Sequence, residues 1–263
     1  MIFRLAHRSL PLLIAVFIVA GCGGGSDGAR IAGDQFRLSG TQRDAQFAVG
    51  SESFTEQEVL GNIAIEVLQA ADATVIDRTG LGGNEAVRQG LEAGQKSSGD
   101  LGVETISDLK RLVEDRPKEA TLCLNNDDDF LTRFDGLPGL ERAYGFSVPE
   151  ENLIEMSSDA VYHATEEAEI CNFGVVFTTS GFIRELALRL LEDDEQFFAV
   201  YNPALTIRQD VFRQYPQLRK IFVPFSEKLD TETLRKLNYA VDVEGKSPEN
   251  VASTWLRKEG FIE

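Results

Sequence analysis

The chain predicts an α/β fold. Short apolar runs alternate with segments whose apolar residues recur at helical spacing, and turns rich in small and polar residues join them. Two such strand–helix units stand in succession between residues 47 and 94, and the same alternation continues to about residue 177. That is the pattern of βαβ units.

The first unit opens with Phe47-Ala48-Val49, which reads as a buried strand. Residues 50–54 make a tight turn, and a helix follows with Val59, Leu60, Ile63, Ala64, Val67, Leu68 and Ala71 on one face. Ser53 with Glu56, or Thr55 with Glu58, fits an S/T-x-x-E capping box. A turn of this kind aims backbone N–H groups and the positive end of the helix dipole above the strand end. Open α/β sheets bind ligands there, although an ordinary capped βα unit has the same pattern. In the second unit Thr74-Val75-Ile76 is a strand, and residues 80–84 are a glycine-rich turn. Residues 85–93 read as a helix with Ala86, Val87 and Leu91 inward and Gly94 as its stop. The turn lacks both the G-x-G-x-x-G spacing and the Lys-Ser/Thr of a phosphate loop.

Further along, residues 105–114, 137–144, 159–168, 208–215, 231–237 and 248–258 read as helices. Residues 121–124, 153–156 and 173–177 read as strands, and 197–201 as an aromatic-rich extended run.

Residues 1–21 are expected to lie outside the fold. Arg4 and Arg8 precede a short apolar core over 10–20, too short to span a membrane, so the stretch reads as a signal peptide. It ends in Val19-Ala20-Gly21-Cys22, which resembles a bacterial lipobox, with cleavage before Cys22 and lipid on Cys22. An ordinary signal peptide with a chance cysteine is the competing explanation. Residues 22–44 then form a flexible tether, glycine-rich at its start. The resulting expectation is a protein lipid-anchored on the extracytoplasmic face of the cell membrane.

The full chain carries 26 Lys+Arg against 43 Asp+Glu, a net −17. Residues 1–21 hold two arginines and no acid, so losing them takes the charge to −19. Such an acidic surface argues against nucleic-acid binding and against adhesion to anionic lipid beyond the anchor. It favours cationic ligands mildly and serves solubility equally well. Enzyme chemistry lacks its parts. His163 is the only histidine after residue 21, no nucleophile–base pair is evident, and a zinc cluster is missing. Residues 125–129, NNDDD, lack calcium-loop spacing and read as a solvated loop. No cofactor and no metal are expected.

Several motifs together carry a resemblance. VGSESFTEQEVLGNIAIEVLQAA followed by TGLGGNEAVRQGLEAG is similar to the start of the glycine betaine/choline-type substrate-binding proteins of ABC importers. ETISDL, FLTRFDGLPGLERAYGF, CNFGVVFTTSGFI, LEDDEQFFAVYNPAL and LNYAVDVEGKSPENVASTWLRKEGF continue it in order to the C-terminus. The resemblance implies a two-lobed, Venus-flytrap fold of the type II periplasmic-binding-protein kind. Residues 45–95 with 205–263 would form lobe 1, and residues 100–204 lobe 2.

It also implies a monomer that binds a quaternary ammonium osmoprotectant and hands it to a membrane permease. A quaternary ammonium is held by aromatic faces, each contributing roughly 0.5–2 kcal/mol. A ligand carboxylate calls for arginine or helix N-termini. Tyr201 matches the family's cleft tyrosine and Arg133 an arginine able to face a carboxylate. Thr178 and Thr179 match the FTT step, Ser51, Phe54 and Thr55 the first turn, and Tyr162 is a further aromatic candidate. Structural roles stay open for each: Tyr201 packing at a hinge, Arg133 pairing with Asp135 or Glu141, Tyr162 in a core. Cys123 and Cys171, an even pair in an exported chain that matches some family members, are expected to form a disulfide; two buried free thiols are the alternative.

The departures are as informative. Family members carry several dozen more residues between the LEAG and ETISDL segments, including a W-E-Y-T-G-T-like motif and the first crossover. Lobe 1 and the hinge are therefore expected to be truncated, with one cage aromatic lost. Glu52 stands where many members have lysine, and FTTSGFI replaces FTTDGRI. Two functions follow: a solute-binding lipoprotein of an ABC importer, or a degenerate, non-transporting homologue acting as a surface interaction or sensor module.

Overall fold

The computed structural model describes residues 17–22, 38, 45–80, 91–96, 101–126, 129–199 and 202–263, with backbone alone for 17–22 and 91–96. Among these the strands are β1 (Phe17–Cys22), β2 (Ala45–Gly50), β3 (Thr74–Arg78), β4 (Leu91–Lys96), β5 (Leu122–Asn125), β6 (Leu153–Met156), β7 (Phe173–Phe177) and β8 (Leu188–Leu190). The helices are α1 (Thr55–Ala70), α2 (Ile106–Asp115), α3 (Leu137–Tyr144), α4 (Ser158–Glu167), α5 (Phe182–Glu185), α6 (Gln209–Gln214), α7 (Leu218–Ser226), α8 (Thr231–Asp242) and α9 (Pro248–Lys258). The chain packs as two units, Met1–Glu85 with Asn202–Glu263, and Ala86–Tyr201.

In the first unit the sheet order is β1-β2-β3. β2 runs parallel to β3 with Phe47 opposite Val75. The predicted apolar face of α1 is its buried face, with Val59, Ile63, Val67 and Leu68 inside, together with Leu218 and Ile221 of α7 and Leu256 of α9. Each such side chain contributes about 1.5–3 kcal/mol by leaving water. Phe47 meets the Tyr215 ring edge-on at 5.0 Å.

One expectation fails in this unit, the capping box. Phe54 holds the N-cap position in extended geometry, without a side-chain cap. Ser53 is exposed, and the Thr55 hydroxyl donates to Asp242 Oδ1 at 2.5 Å instead. The Gln57 side chain takes up the Glu52 N–H at 3.2 Å. With the leader-like stretch still attached, β1 lies antiparallel on β2, Ala20 opposite Phe47 and Cys22 opposite Ala45. An edge of β2 with unpaired N–H and C=O groups explains the pairing. Of the tether expected over 22–44, all but Cys22 and Leu38 lies outside the described residues.

In the second unit the sheet order is β6-β5-β7-β4-β8. β5 is parallel to β6 and β7, while β4 is antiparallel to β7 and β8. Here the helix expected over 85–93 is corrected: Leu91–Lys96 is a strand, with Gly94 opposite Gly174. β7 is buried, so its far edge needs a backbone partner more than the chain needs another helical turn. Residues 81–90, including the glycine-rich turn, lie outside the described set. The unit boundary falls at 85, not 95, because β4 belongs here.

The strand alternation of β5 divides two cores. Leu122 and Leu124 face a cluster with Ile106, Leu109, Leu140 and Phe173, while Cys123 faces Val161, Tyr162, Val176 and Ile183. Thr105 and Asp108 form a reciprocal capping box at the start of α2. The helices α5 and α7 have no counterpart in the sequence reading; α7 carries Pro224 inside it. The run over 197–201 is not a strand in its described part, 197–199.

Cys123 and Cys171 are disulfide-bonded, Cα–Cα 5.8 Å, across 48 residues. The bond ties β5 to the chain entering β7. Replacing both cysteines by alanine should lower stability by about 2–4 kcal/mol. Denaturant midpoints test this: reductant should shift the wild type to the value of the double variant and leave that variant unmoved.

Candidate functional site

The residues predicted for ligand contact fall into three groups, and each is described within its own unit. In the first unit, Ser51, Phe54 and Thr55 stand where β2 runs into α1. Ser51 is buried; its Oγ accepts the Gly80 N–H at 3.2 Å and donates to the Glu52 carbonyl at 3.1 Å. Gly61 lets this turn sit against α1, since a Cβ there would come within 2.6 Å of Thr79 Cγ2 and 3.3 Å of Ser51 Cβ. Glu56 is buried and accepts the Asn238 side-chain N–H at 3.2 Å. With Glu58 it places two carboxylates in the first turn of α1, where the helix dipole favours them. The same carboxylates offset the positive end that a ligand anion would use, so this turn suits a cation better than a free carboxylate.

In the second unit, Thr178 and Thr179 follow β7 directly and are half-buried. Tyr162 of α4 lies beside them. It is only 3% exposed, its hydroxyl accepts the Phe177 N–H at 3.1 Å, and its ring packs on Phe182 at 5.5 Å. Its work is in the core and in fixing the end of β7. Gly174 of β7 faces Thr165 of α4 so closely that a Cβ would meet Thr165 Oγ1 at 2.2 Å.

Arg133 sits in the tight turn before α3. Its side chain is 10% exposed and ion-paired with Asp129 at 3.0 Å and Asp135 at 2.8 Å. Glu141, the other partner weighed for it, accepts instead from the Val148 N–H and Ser147 hydroxyl. Gly136 is required here: a Cβ would lie 2.1 Å from the Phe130 carbonyl oxygen. Phe134, next to Arg133, is 74% exposed. Tyr201 lies outside the described residues, and so does Val200 before it.

The sequence reading missed one polar knot. Asp193 accepts from the Tyr144 hydroxyl at 2.5 Å, the Phe197 N–H at 2.9 Å and the Phe198 N–H at 2.7 Å. Burial first, and then the hydrogen bond to Asp193, push the Tyr144 hydroxyl well above the usual tyrosine range. The available signal was the pair of acids, Asp193 and Asp194, just ahead of two phenylalanines. The first unit also has an apolar groove of about 310 Å³ beside α1 and α7, lined by Leu60, Ile63, Phe222, Phe225 and Leu229 among others. Among the described residues, none of the predicted ligand residues lines it.

Two substitutions sort these roles. Tyr162→Phe strands the Phe177 N–H and should cost about 1–2 kcal/mol in denaturant unfolding, with ligand affinity unchanged. Gly136→Ala should cost about 1–3 kcal/mol through the clash with Phe130 and should disturb the Arg133 turn, seen as altered amide shifts over residues 129–136.

Comparison with known proteins extends these observations. The sequence matches the family described as the substrate binding domain of ABC-type glycine betaine transport system, over residues 46–97 and 96–258, two pieces that meet at 96–97. A glycine-betaine-binding protein of Pseudomonas aeruginosa is 31% identical over 166 residues, covering 62% of this chain and 53% of that one. The ergothioneine transport permease/ergothioneine binding protein of Helicobacter pylori is 39% identical over 133 residues, 51% of this chain and 24% of that one. A chemotactic signal transduction system substrate-binding protein of Halobacterium salinarum is 24% identical over 286 residues, 81% and 84% of the two chains. The chain spans about half the length of the Pseudomonas relative. A solved glycine betaine/carnitine/choline ABC transporter structure shares the fold with a TM-score of 0.65 at 18% identity, over 83% of this chain and 99% of that one. The chain belongs to the substrate-binding-domain family of ABC-type glycine betaine transport systems, a solute-binding rather than an enzyme family, with the α/β fold of type II periplasmic-binding proteins.

Proposed function

We propose that this protein is an extracytoplasmic solute-binding lipoprotein that captures a quaternary ammonium osmoprotectant such as glycine betaine, choline or carnitine. It delivers that ligand, as a monomer, to an ABC permease in the membrane. The observation that carries the reading is the family match across residues 46–97 and 96–258. The acidic chain, at net −17, favours a cationic solute over an anionic one. Cys22 is the lipid site, and cleavage before it removes residues 17–21 from β1 and opens the edge of β2.

Aromatic side chains hold the ammonium group, with Tyr201 as the lead residue, each ring contributing roughly 0.5–2 kcal/mol. Ser51, Phe54, Thr55, Thr178 and Thr179 supply the surrounding turns. Arg133 takes a ligand carboxylate by exchanging one partner. Asp129, 58% exposed, is the more accessible of the two carboxylates and gives way, while the less exposed Asp135 stays beside the guanidinium. The family segment missing between the LEAG and ETISDL stretches weakens the aromatic cage by the loss of one ring.

A second reading has a specific support. A relative matched over 84% of its own length is named for chemotactic signal transduction, so a non-transporting sensor or interaction module is the alternative.

Calorimetric titration of the purified chain with glycine betaine, carnitine, choline and ergothioneine tests the proposal. At a hundredfold excess over Kd a bound ligand should stabilise the fold by about 2.7 kcal/mol. Absence of both heat and thermal stabilisation at millimolar ligand would remove the solute-binding reading and leave the interaction module.

A further inference from the structure

The geometry points to Asp193 as a positioning residue that sets the Arg133 turn from a distance, through two phenylalanines. The proposal rests on the reading of Arg133 as the partner of a ligand carboxylate. Its structural half stands on hydrogen bonds and packing within the second unit.

The Asp193 carboxylate gathers three donors: the Tyr144 hydroxyl and the backbone N–H groups of Phe197 and Phe198. Tyr144 in turn accepts the Glu195 N–H at 2.9 Å. These contacts fold residues 193–198 into a turn that Gln196 completes in the left-handed region, φ +57°, where a side chain is disfavoured. Such a backbone persists only when its surroundings overdetermine it. Here they do so at the start of the turn. Glu192 exchanges backbone hydrogen bonds with Glu104 and Ile106, and Asp194 accepts the Ser107 N–H at the start of α2. Tyr144 is the last residue of α3.

The two phenylalanines carry this order outward. Phe198 stacks on Phe130 at 6.5 Å. Phe197 lies against Gly139 of α3, so close that a Cβ there would meet its ring at 3.0 Å. Phe130 and Gly139 bracket the turn that holds Arg133, and Phe130 already touches Gly136 within that turn. Arg133 is held by carboxylates on its own turn, so the turn itself must be held for the guanidinium to keep a fixed direction. The Phe197–Phe198 pair braces it, and Asp193 fixes the pair. A carboxylate is suited to this because one side chain can satisfy three donors, and a charged acceptor roughly doubles the strength of each bond.

The test compares the wild type with Asp193→Asn, Asp193→Ala and Arg133→Gln in full-length protein. Two readouts are needed: affinity for glycine betaine and for choline, and amide hydrogen exchange over residues 129–136 and 195–198. Glycine betaine carries a carboxylate and choline does not. Asp193→Ala should weaken glycine betaine about tenfold while choline changes less than about twofold. Protection should fall at Phe197 and Phe198 and across 129–136, with Asp193→Asn intermediate. Equal weakening of both ligands with a lowered melting temperature would make Asp193 a general structural residue and overturn the proposal. Protection lost at 195–198 but kept at 129–136 would overturn it too. If the wild type binds neither ligand, or Arg133→Gln leaves glycine betaine untouched, the functional reading fails separately, and the exchange pattern still decides whether Asp193 braces the turn.

Discussion

The second unit depends on one backbone constraint: β7, buried along its length, needs a hydrogen-bonding partner on each edge. β5 provides one edge in parallel, and β4 provides the other by running antiparallel between β7 and β8. The turn that leaves β7 is placed from this pairing. Thr178 and Thr179 leave the end of β7, and Tyr162 clamps that end through the Phe177 N–H. The disulfide then locks the entry to β7 against β5. A short sheet stiffened at both ends of its middle strand suits a binding protein, whose contact residues must hold position before the ligand arrives.

The same constraint explains what could be read from the chain and what could not. α3, α9, β6 and β7 were legible to the residue, because a single periodicity or a bounded apolar run specifies each. The face of α1 was legible for that reason too. Residues 91–96 were not, because local spacing fits a helix and only the distant edge of β7 makes them a strand. The start of α1 failed similarly: Thr55 belongs to Asp242, a partner 187 positions away, so the capping pattern misled.

Among the candidate site residues the same division holds. Motif matching placed Ser51, Thr178 and Arg133 at element ends, where binding residues concentrate. It could not say that Ser51 is bound to Gly80, or that Arg133 arrives already paired with two aspartates. Asp193 shows in the sequence only as one of two acids ahead of two phenylalanines, because its three donors come from a helix end and from backbone within its own turn. Neither leaves a spacing signature.

The central claim is that the turns at the head of α1 and at the end of β7 are the ones that respond to a betaine-type solute. A residue-resolved NMR titration with glycine betaine addresses it directly. The expected result is saturable shifts in the amides of 51–55 and 178–179, with the groove residues Phe222 and Phe225 unmoved. Shifts confined to that groove, or none in either turn at saturating ligand, would contradict the account.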